Sequence, residues 1–174
     1  MATRWLVEPM TLEELNALDP AVAEQEFLRC CGARRWARAM AGRRPFRTLQ
    51  SVQQEADDIW LALDSVDWRE AFAAHPRIGD SAAGKGGEAS TWSAREQAGM
   101  DTATDDVRRR LEAANRNYEQ RFGFILIVCA TGLSANEMLA NAERRLKHSS
   151  GEELYVAAEE QRKIMQIRLA KLIA

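Results

Sequence analysis

Phe124-Ile125-Leu126-Ile127-Val128-Cys129-Ala130 is the stretch on which the fold class turns. Seven apolar residues in a row, with β-branched side chains at 125, 127 and 128, read equally as a buried strand or as a buried helical segment. What surrounds the run favours the helix. Upstream, Val107, Leu111, Ala114, Tyr118 and Phe122 recur at three- and four-residue steps, which is helical spacing. Gly123 interrupts that stripe in Arg121-Phe122-Gly123-Phe124. The glycine serves either as a helix C-cap leading into a core element or as a break that exposes backbone groups to a small polar ligand. Downstream, Gly132 and then Ser134-x-x-Glu137, a capping-box pattern, restart a helix through Met138, Leu139 and Leu146.

The same punctuation continues outward to both ends. Thr11-x-x-Glu14 predicts a first helix carrying Leu12 and Leu15, and Asp19-Pro20 an N-cap followed by proline at the first helical position. That second helix reads through Phe27 and Leu28 towards Gly32, with Trp36 and Met40 continuing an apolar face to Gly42. Thr48 caps a helix in which Leu49, Val52, Ala56, Ile59 and Leu63 share one face. Val66 to Ala74 forms a short helix that must stop near His75, because Pro76 disfavours the α conformation in the residue before it. Gly79 to Gly87, with four glycines, reads as an exposed loop. The last helix is predicted from about Glu152 to Leu172. With no repeats and no long linker, the expectation is an all-α, single-domain helical bundle.

Composition excludes several classes. The chain has 174 residues, a net charge of −2, three Cys and two His, and a pI near 5.8. A near-neutral balance argues against general nucleic-acid binding, which needs a basic surface. So few His and Cys disfavour a protein-bound metal site. No apolar run approaches the ~20 residues that span a bilayer, Met1 to Pro9 has no signal-peptide h-region, and Lys171-Leu172-Ile173-Ala174 is no peroxisomal signal. Cys30, Cys31 and Cys129 are read as buried free thiols in a reducing cytosol.

Four places carry chemistry. His75-Pro76-Arg77-Ile78-Gly79-Asp80 sets an imidazole at a helix end, where the macrodipole favours its charged form, although a C-capping surface His has the same spacing. Ser93-Ala94-Arg95-Glu96-Gln97 is either a second capping box or a helix N-terminus presenting donors beside a carboxylate and an amide. Arg168 falls within the apolar stripe of Leu154, Ala157, Ala158, Ile164, Met165 and Leu172, where it needs an internal partner or serves as a fork for a ligand carboxylate. Arg121-Phe122-Gly123-Phe124 is the fourth. His148, after Arg144, Arg145 and Lys147, reads as a solvated helix terminus.

Taken in order, the segments resemble a known family. They are His75-Pro-Arg-Ile-Gly79, Ser93-x-x-Glu-Gln-Ala-Gly99, Asn117-Tyr118-x-x-Arg121-Phe-Gly-Phe124, Val128-Cys-Ala-Thr-Gly132 and Arg145-Leu146, with Met10-x-Leu12-x-x-Leu15-Asn16 ahead of them. Together they resemble the 2-oxo-4-hydroxy-4-carboxy-5-ureidoimidazoline (OHCU) decarboxylases, which act in urate breakdown. The resemblance implies one all-α domain over 1–174, about eight helices, with the apolar run as buried helix. It implies a homodimer with a cofactor-free active site that takes a small ureidoimidazoline substrate, while the composition and lack of targeting signals suggest a cytoplasmic protein without a bound metal. His75 and Glu96 are then the catalytic acid/base pair. Substrate contacts come from Pro76, Ser93, Gln97, the backbone of Leu126, Ile127, Val128, Cys129 and Ala130, and Arg168. Two other readings remain: a helical ligand-binding module without chemistry, and a lyase or hydrolase acting on a related ureide.

Overall fold

The computed structural model describes residues 9–79, 92 and 96–174. Its regular elements are helical: α1 (Leu12–Ala17), α2 (Pro20–Cys30), α3 (Arg34–Gly42), α4 (Leu49–Ala62), α5 (Ser65–Ala73), a 3₁₀ turn (Ala98–Thr102), α6 (Asp105–Phe122), α7 (Ala135–Arg145) and α8 (Ser150–Leu172). Strand-like pairing among the described residues is an isolated parallel bridge between Met10 and Ile173. The all-α class read from the sequence therefore holds. No helix of the described residues is long and apolar enough to cross a membrane. The exposed loop expected over Gly79 to Gly87 lies, beyond Gly79, outside the described residues.

The chain divides into two compact units, Met1–Glu70 with Arg162–Ala174, and Ala71–Gln161. In the first, the helix starts form as their spacing predicts. Thr11 accepts from the Glu14 amide while the Glu14 carboxylate accepts from the Thr11 amide at 2.8 Å, a complete capping box. Asp19 caps α2 ahead of Pro20, and Thr48 caps α4. Leu15, Phe27, Trp36, Met40, Val52, Met165 and Leu169 are fully buried. Phe27 meets Trp36 edge-on at a centroid separation of 5.9 Å. The indole N–H of Trp36 donates to the Ala56 carbonyl at 3.1 Å, which satisfies its polar edge in the core. Arg44 closes the end of α1 by donating to the carbonyls of Leu15 at 2.9 Å and Leu18 at 2.7 Å. Cys30 and Cys31 are buried free thiols, as expected, whereas Cys129, expected to be buried with them, is half-buried. Desolvation pushes both upward, Cys31 to about 12, against the opposing pull of Arg168 on each.

The second unit contains the run Phe124–Ala130, and here the sequence reading is corrected. The segment is neither helix nor strand. Gly123 adopts a left-handed conformation with φ 75° at the end of α6, so the chain leaves the helix there. The β-branched Ile125, Ile127 and Val128 do not favour re-entry into a helix. The run is nonetheless buried, with Leu126, Ile127, Val128 and Ala130 each at most 6 % exposed. A buried irregular backbone needs hydrogen-bond partners from elsewhere. Arg145 of α7 donates to the Ile127 carbonyl at 2.5 Å, and Glu160 of α8 accepts from the Cys129 amide at 2.7 Å. The Ala130 carbonyl accepts from the Leu133 amide at 3.0 Å. Charged side chains thus do for this segment what a ladder or a helical turn does elsewhere.

Arg145 belongs to a buried polar cluster. Its guanidinium also donates to the Glu153 carboxylate, at 2.8 Å from Nε, and both side chains are at most 1 % exposed. The Tyr118 hydroxyl donates to the same carboxylate oxygen. Burial pushes the Tyr118 hydroxyl well above the usual phenol range. His148 is the second correction. Its Nδ1 lies 2.8 Å from the other Glu153 oxygen, with the histidine side chain 31 % exposed. It therefore covers an internal carboxylate rather than only ending a helix in solvent. Around the cluster pack Leu111, Ala114, Phe122, Leu126, Met138 and Leu139 of one core, with Phe124 against Phe72 at 5.2 Å and Tyr118 at 5.8 Å.

Candidate active site

His75 sits where α5 ends. Its amide donates to the Phe72 carbonyl at 3.1 Å, which holds the backbone against the last turn ahead of Pro76. The ring is half-buried, and its Nε2 lies 2.6 Å from Oε1 of Gln161, on the buried side of α8. Gln161 is fully buried. The sequence reading missed it, although the signal was present. Gln161 stands four residues before Met165 and seven before Arg168, in the same apolar stripe that singled out Arg168.

Glu96 is buried at 8 % exposure. The adjacent Gln97 is half-buried, and its Oε1 accepts from the Gly79 amide at 2.9 Å. That bond ties the Glu96-Gln97 pair to the segment that follows His75 and Pro76. Behind it, Asn115 donates to the Ile78 carbonyl at 2.9 Å, and Arg77 pairs with Glu119, at 2.9 Å from Nη2. Pro76 is exposed. Ser93 lies outside the described residues, so its capping box with Glu96 is not described either.

The 3₁₀ turn that follows Gln97 is seated by a glycine. A Cβ on Gly99 would lie 2.0 Å from the Leu133 carbonyl oxygen and 3.2 Å from the Met138 methyl. The turn therefore packs on the Leu133 backbone at a distance that no side chain permits. Gly99→Ala is expected to force the two apart and to lower stability by about 1–3 kcal/mol, the usual cost of overpacking. Thermal unfolding reads the loss directly.

Two hollows border these residues. One, of about 440 Å³, is lined by Glu96, Gly99, Gly132 and Ser134 among others. The other, of about 480 Å³, is lined by Arg77, Ile78, Gly79, Asn115 and Glu119 among others. His75 lines neither. Of the backbone groups expected to meet substrate, the Ile127 carbonyl, the Cys129 amide and the Ala130 carbonyl are already engaged by Arg145, Glu160 and Leu133. The Cys129 amide has a single hydrogen and spends it on Glu160, whereas the Ile127 and Ala130 carbonyls each keep a second lone pair.

His75, Pro76, Glu96, Gln97 and Leu126–Ala130 all belong to the unit Ala71–Gln161, whereas Arg168 belongs to the other. Arg168 is only 5 % exposed, as its place in the apolar stripe predicts, and its Nη1 donates to the Arg29 carbonyl at 3.3 Å. An interior guanidinium of this kind carries a fixed charge and a planar fork of donors.

Fold and residues define an all-α protein that carries an imidazole and a buried carboxylate within one compact helical unit. The sequence profile described as OHCU decarboxylase matches residues 16–170, and the chain belongs to that family. It is 35 % identical over 156 residues to the uric acid degradation bifunctional protein TTL of Arabidopsis thaliana, covering 88 % of this chain and 48 % of that one. The chain thus spans less than half the length of that bifunctional relative. It is 24 % identical over 165 residues to a 2-oxo-4-hydroxy-4-carboxy-5-ureidoimidazoline decarboxylase of Haloferax volcanii, covering 93 % of this chain and 95 % of that one. Among solved structures it is similar to OHCU decarboxylase crystallised in the presence of (S)-allantoin, with a TM-score of 0.74 at 34 % identity over 84 % of this chain and 96 % of that one.

Proposed function

We propose that this chain decarboxylates 2-oxo-4-hydroxy-4-carboxy-5-ureidoimidazoline to (S)-allantoin without a cofactor. The observation that carries the reading is the family match over residues 16–170, which contains both His75 and the buried Glu96. That span reaches into both compact units, which supports one functional domain over the whole chain.

The chemistry needs few groups. Ring carbon 4 of the substrate bears a hydroxyl and a carboxylate. The bond from carbon 4 to the carboxylate breaks, CO₂ leaves, and the electron pair flows into the adjacent ring C=N. The nitrogen takes a proton, and the hydroxyl-bearing carbon is left as part of an ene-like intermediate. Transfer of the hydroxyl proton turns that carbon into the ring carbonyl, while a proton delivered to one face of the neighbouring carbon sets the stereocentre of (S)-allantoin. The ring itself accepts the electrons, so the protein supplies orientation and proton transfer. His75 and Glu96 engage the hydroxyl and carboxylate and hold the carboxylate out of the ring plane. Ser93, Gln97, Arg168, Pro76 and backbone groups of Leu126–Ala130 hold the ureido arm and the ring. General acid–base help of this kind is typically about 10²–10⁴-fold, and orientation adds to it. The family resemblance also supports a homodimer, and the buried thiols of Cys30 and Cys31 suit a reducing, cytoplasmic location.

Glu96→Gln tests the reading apart from His75. With substrate generated in situ from urate, and (S)-allantoin followed by circular dichroism, the variant is expected to lose at least ~10²-fold in turnover while still binding allantoin. Wild-type turnover in a folded Glu96→Gln protein would remove the carboxylate from the mechanism.

A further inference from the structure

We propose that Gln161 is a positioning residue that fixes the tautomer of His75, so that the proton exchanged with substrate comes and goes at Nδ1. The inference rests on the reading of His75 as the acid/base. The residue lies inside the helix that carries Arg168, yet its role is distinct from any contact with substrate.

The geometry makes the argument. Oε1 of Gln161 is 2.6 Å from Nε2 of His75. A carbonyl oxygen can only accept, so the ring nitrogen facing it carries the hydrogen. In the neutral ring that leaves Nδ1 as the basic nitrogen. The same contact also suits the imidazolium, in which both nitrogens carry hydrogen. The ring is therefore held alike before and after it takes a proton. At its other end the His75 backbone is tied to Phe72, so neither end of the residue is loose.

Two further observations favour a role beyond packing. Gln161 is fully buried, and its own Nε2 has no hydrogen-bond partner among the described residues. A buried amide donor without an acceptor destabilises a fold, and an apolar side chain of similar volume avoids that penalty. The residue is thus poorly suited to stability and well suited to His75. An amide is also neutral. A carboxylate at the same place would hold the imidazole in its charged form to higher pH, whereas the amide orients the ring without pinning its charge. This is the choice a group needs if it must both give and take a proton near neutral pH.

Gln161→Leu and Gln161→Glu test the inference in the full-length chain. Long-range ¹H–¹⁵N correlation spectra of the labelled protein read the His75 tautomer directly, and kcat, KM and melting temperature are measured alongside. The wild type is expected to show His75 hydrogen on Nε2. Gln161→Leu should mix the tautomers and lower kcat by about 10–100-fold, the scale of a misplaced catalytic group, with KM nearly unchanged and melting temperature equal or higher. Gln161→Glu should keep the Nε2–H tautomer and move the His75 titration, and with it the acidic limb of the kcat profile, to higher pH. A wild-type His75 with hydrogen on Nδ1 would overturn the inference even if Gln161→Leu failed to fold. So would a folded Gln161→Leu with unchanged tautomer and kcat, or one whose only effect is a lower melting temperature. Full turnover by a His75 variant sinks the acid/base reading, whereas an inert His75 variant with an indifferent Gln161→Leu sinks the positioning role alone.

Discussion

His75→Ala is expected to reduce formation of (S)-allantoin by about 10²–10⁴-fold, the range associated with loss of a positioned general acid or base. The ring sits at the end of α5, half-buried, with its backbone tied to Phe72 and its Nε2 on Gln161. Removing it takes away the imidazole without opening a fully buried cavity, so the helical far-ultraviolet signal should be kept. The assay follows (S)-allantoin by circular dichroism from substrate generated in situ from urate, because protonation away from the protein has no preferred face. Stereospecific product at the wild-type rate would remove His75 from the mechanism. A rate lowered together with the helical signal would point to folding instead. His148 cannot stand in for it, since its Nδ1 is engaged by the buried Glu153.

Arg145→Leu is expected to cost about 3–5 kcal/mol of stability, the usual result of leaving one charge of a buried pair uncompensated. For a chain of this size that is a fall of roughly 6–20 °C in melting temperature. The loss has two parts. The Glu153 carboxylate, fully buried, would keep the Tyr118 hydroxyl and His148 but lose its cation. The Ile127 carbonyl would lose the donor that reaches it from α7. Arg145→Lys should recover little, because one ammonium cannot serve Glu153 and Ile127 in a fork. A double variant, Arg145→Leu with Glu153→Leu, should be less destabilised than Arg145→Leu alone, since it removes the stranded charge. Equal melting temperatures for wild type and Arg145→Leu would show that the pair does not hold this core.

Much of the fold was legible locally. Thr11, Asp19, Thr48 and Ser134 announce helix starts through bonds to amides two or three residues on, so the reason for each start lies within the same few letters. The burial of Arg168 was legible through helical periodicity, and the helix end ahead of His75 through Pro76. The run Phe124–Ala130 was not. Its backbone partners are Arg145 and Glu160, 18 and 31 residues away, and no local pattern records them. The same holds for Gln161 and His75, separated by 86 residues. His148 misled because its polar neighbours suggested solvent, whereas its carboxylate partner Glu153 faces inward. Local bonds write themselves into the sequence, and bonds across the core do so only when a polar letter interrupts an apolar stripe.

The way Phe124–Ala130 is held has a consequence for solubility. An uncharged, proline-free run rich in Ile and Val is the composition from which cross-β stacks grow. In the folded chain its carbonyl at Ile127 and its amide at Cys129 are turned towards a guanidinium and a carboxylate, so those groups offer no row for a second chain to pair with. Arg145 and Glu160 thereby act as gatekeepers as well as fasteners. Any condition that frees the segment from them presents neighbouring molecules with a ready template for aggregation.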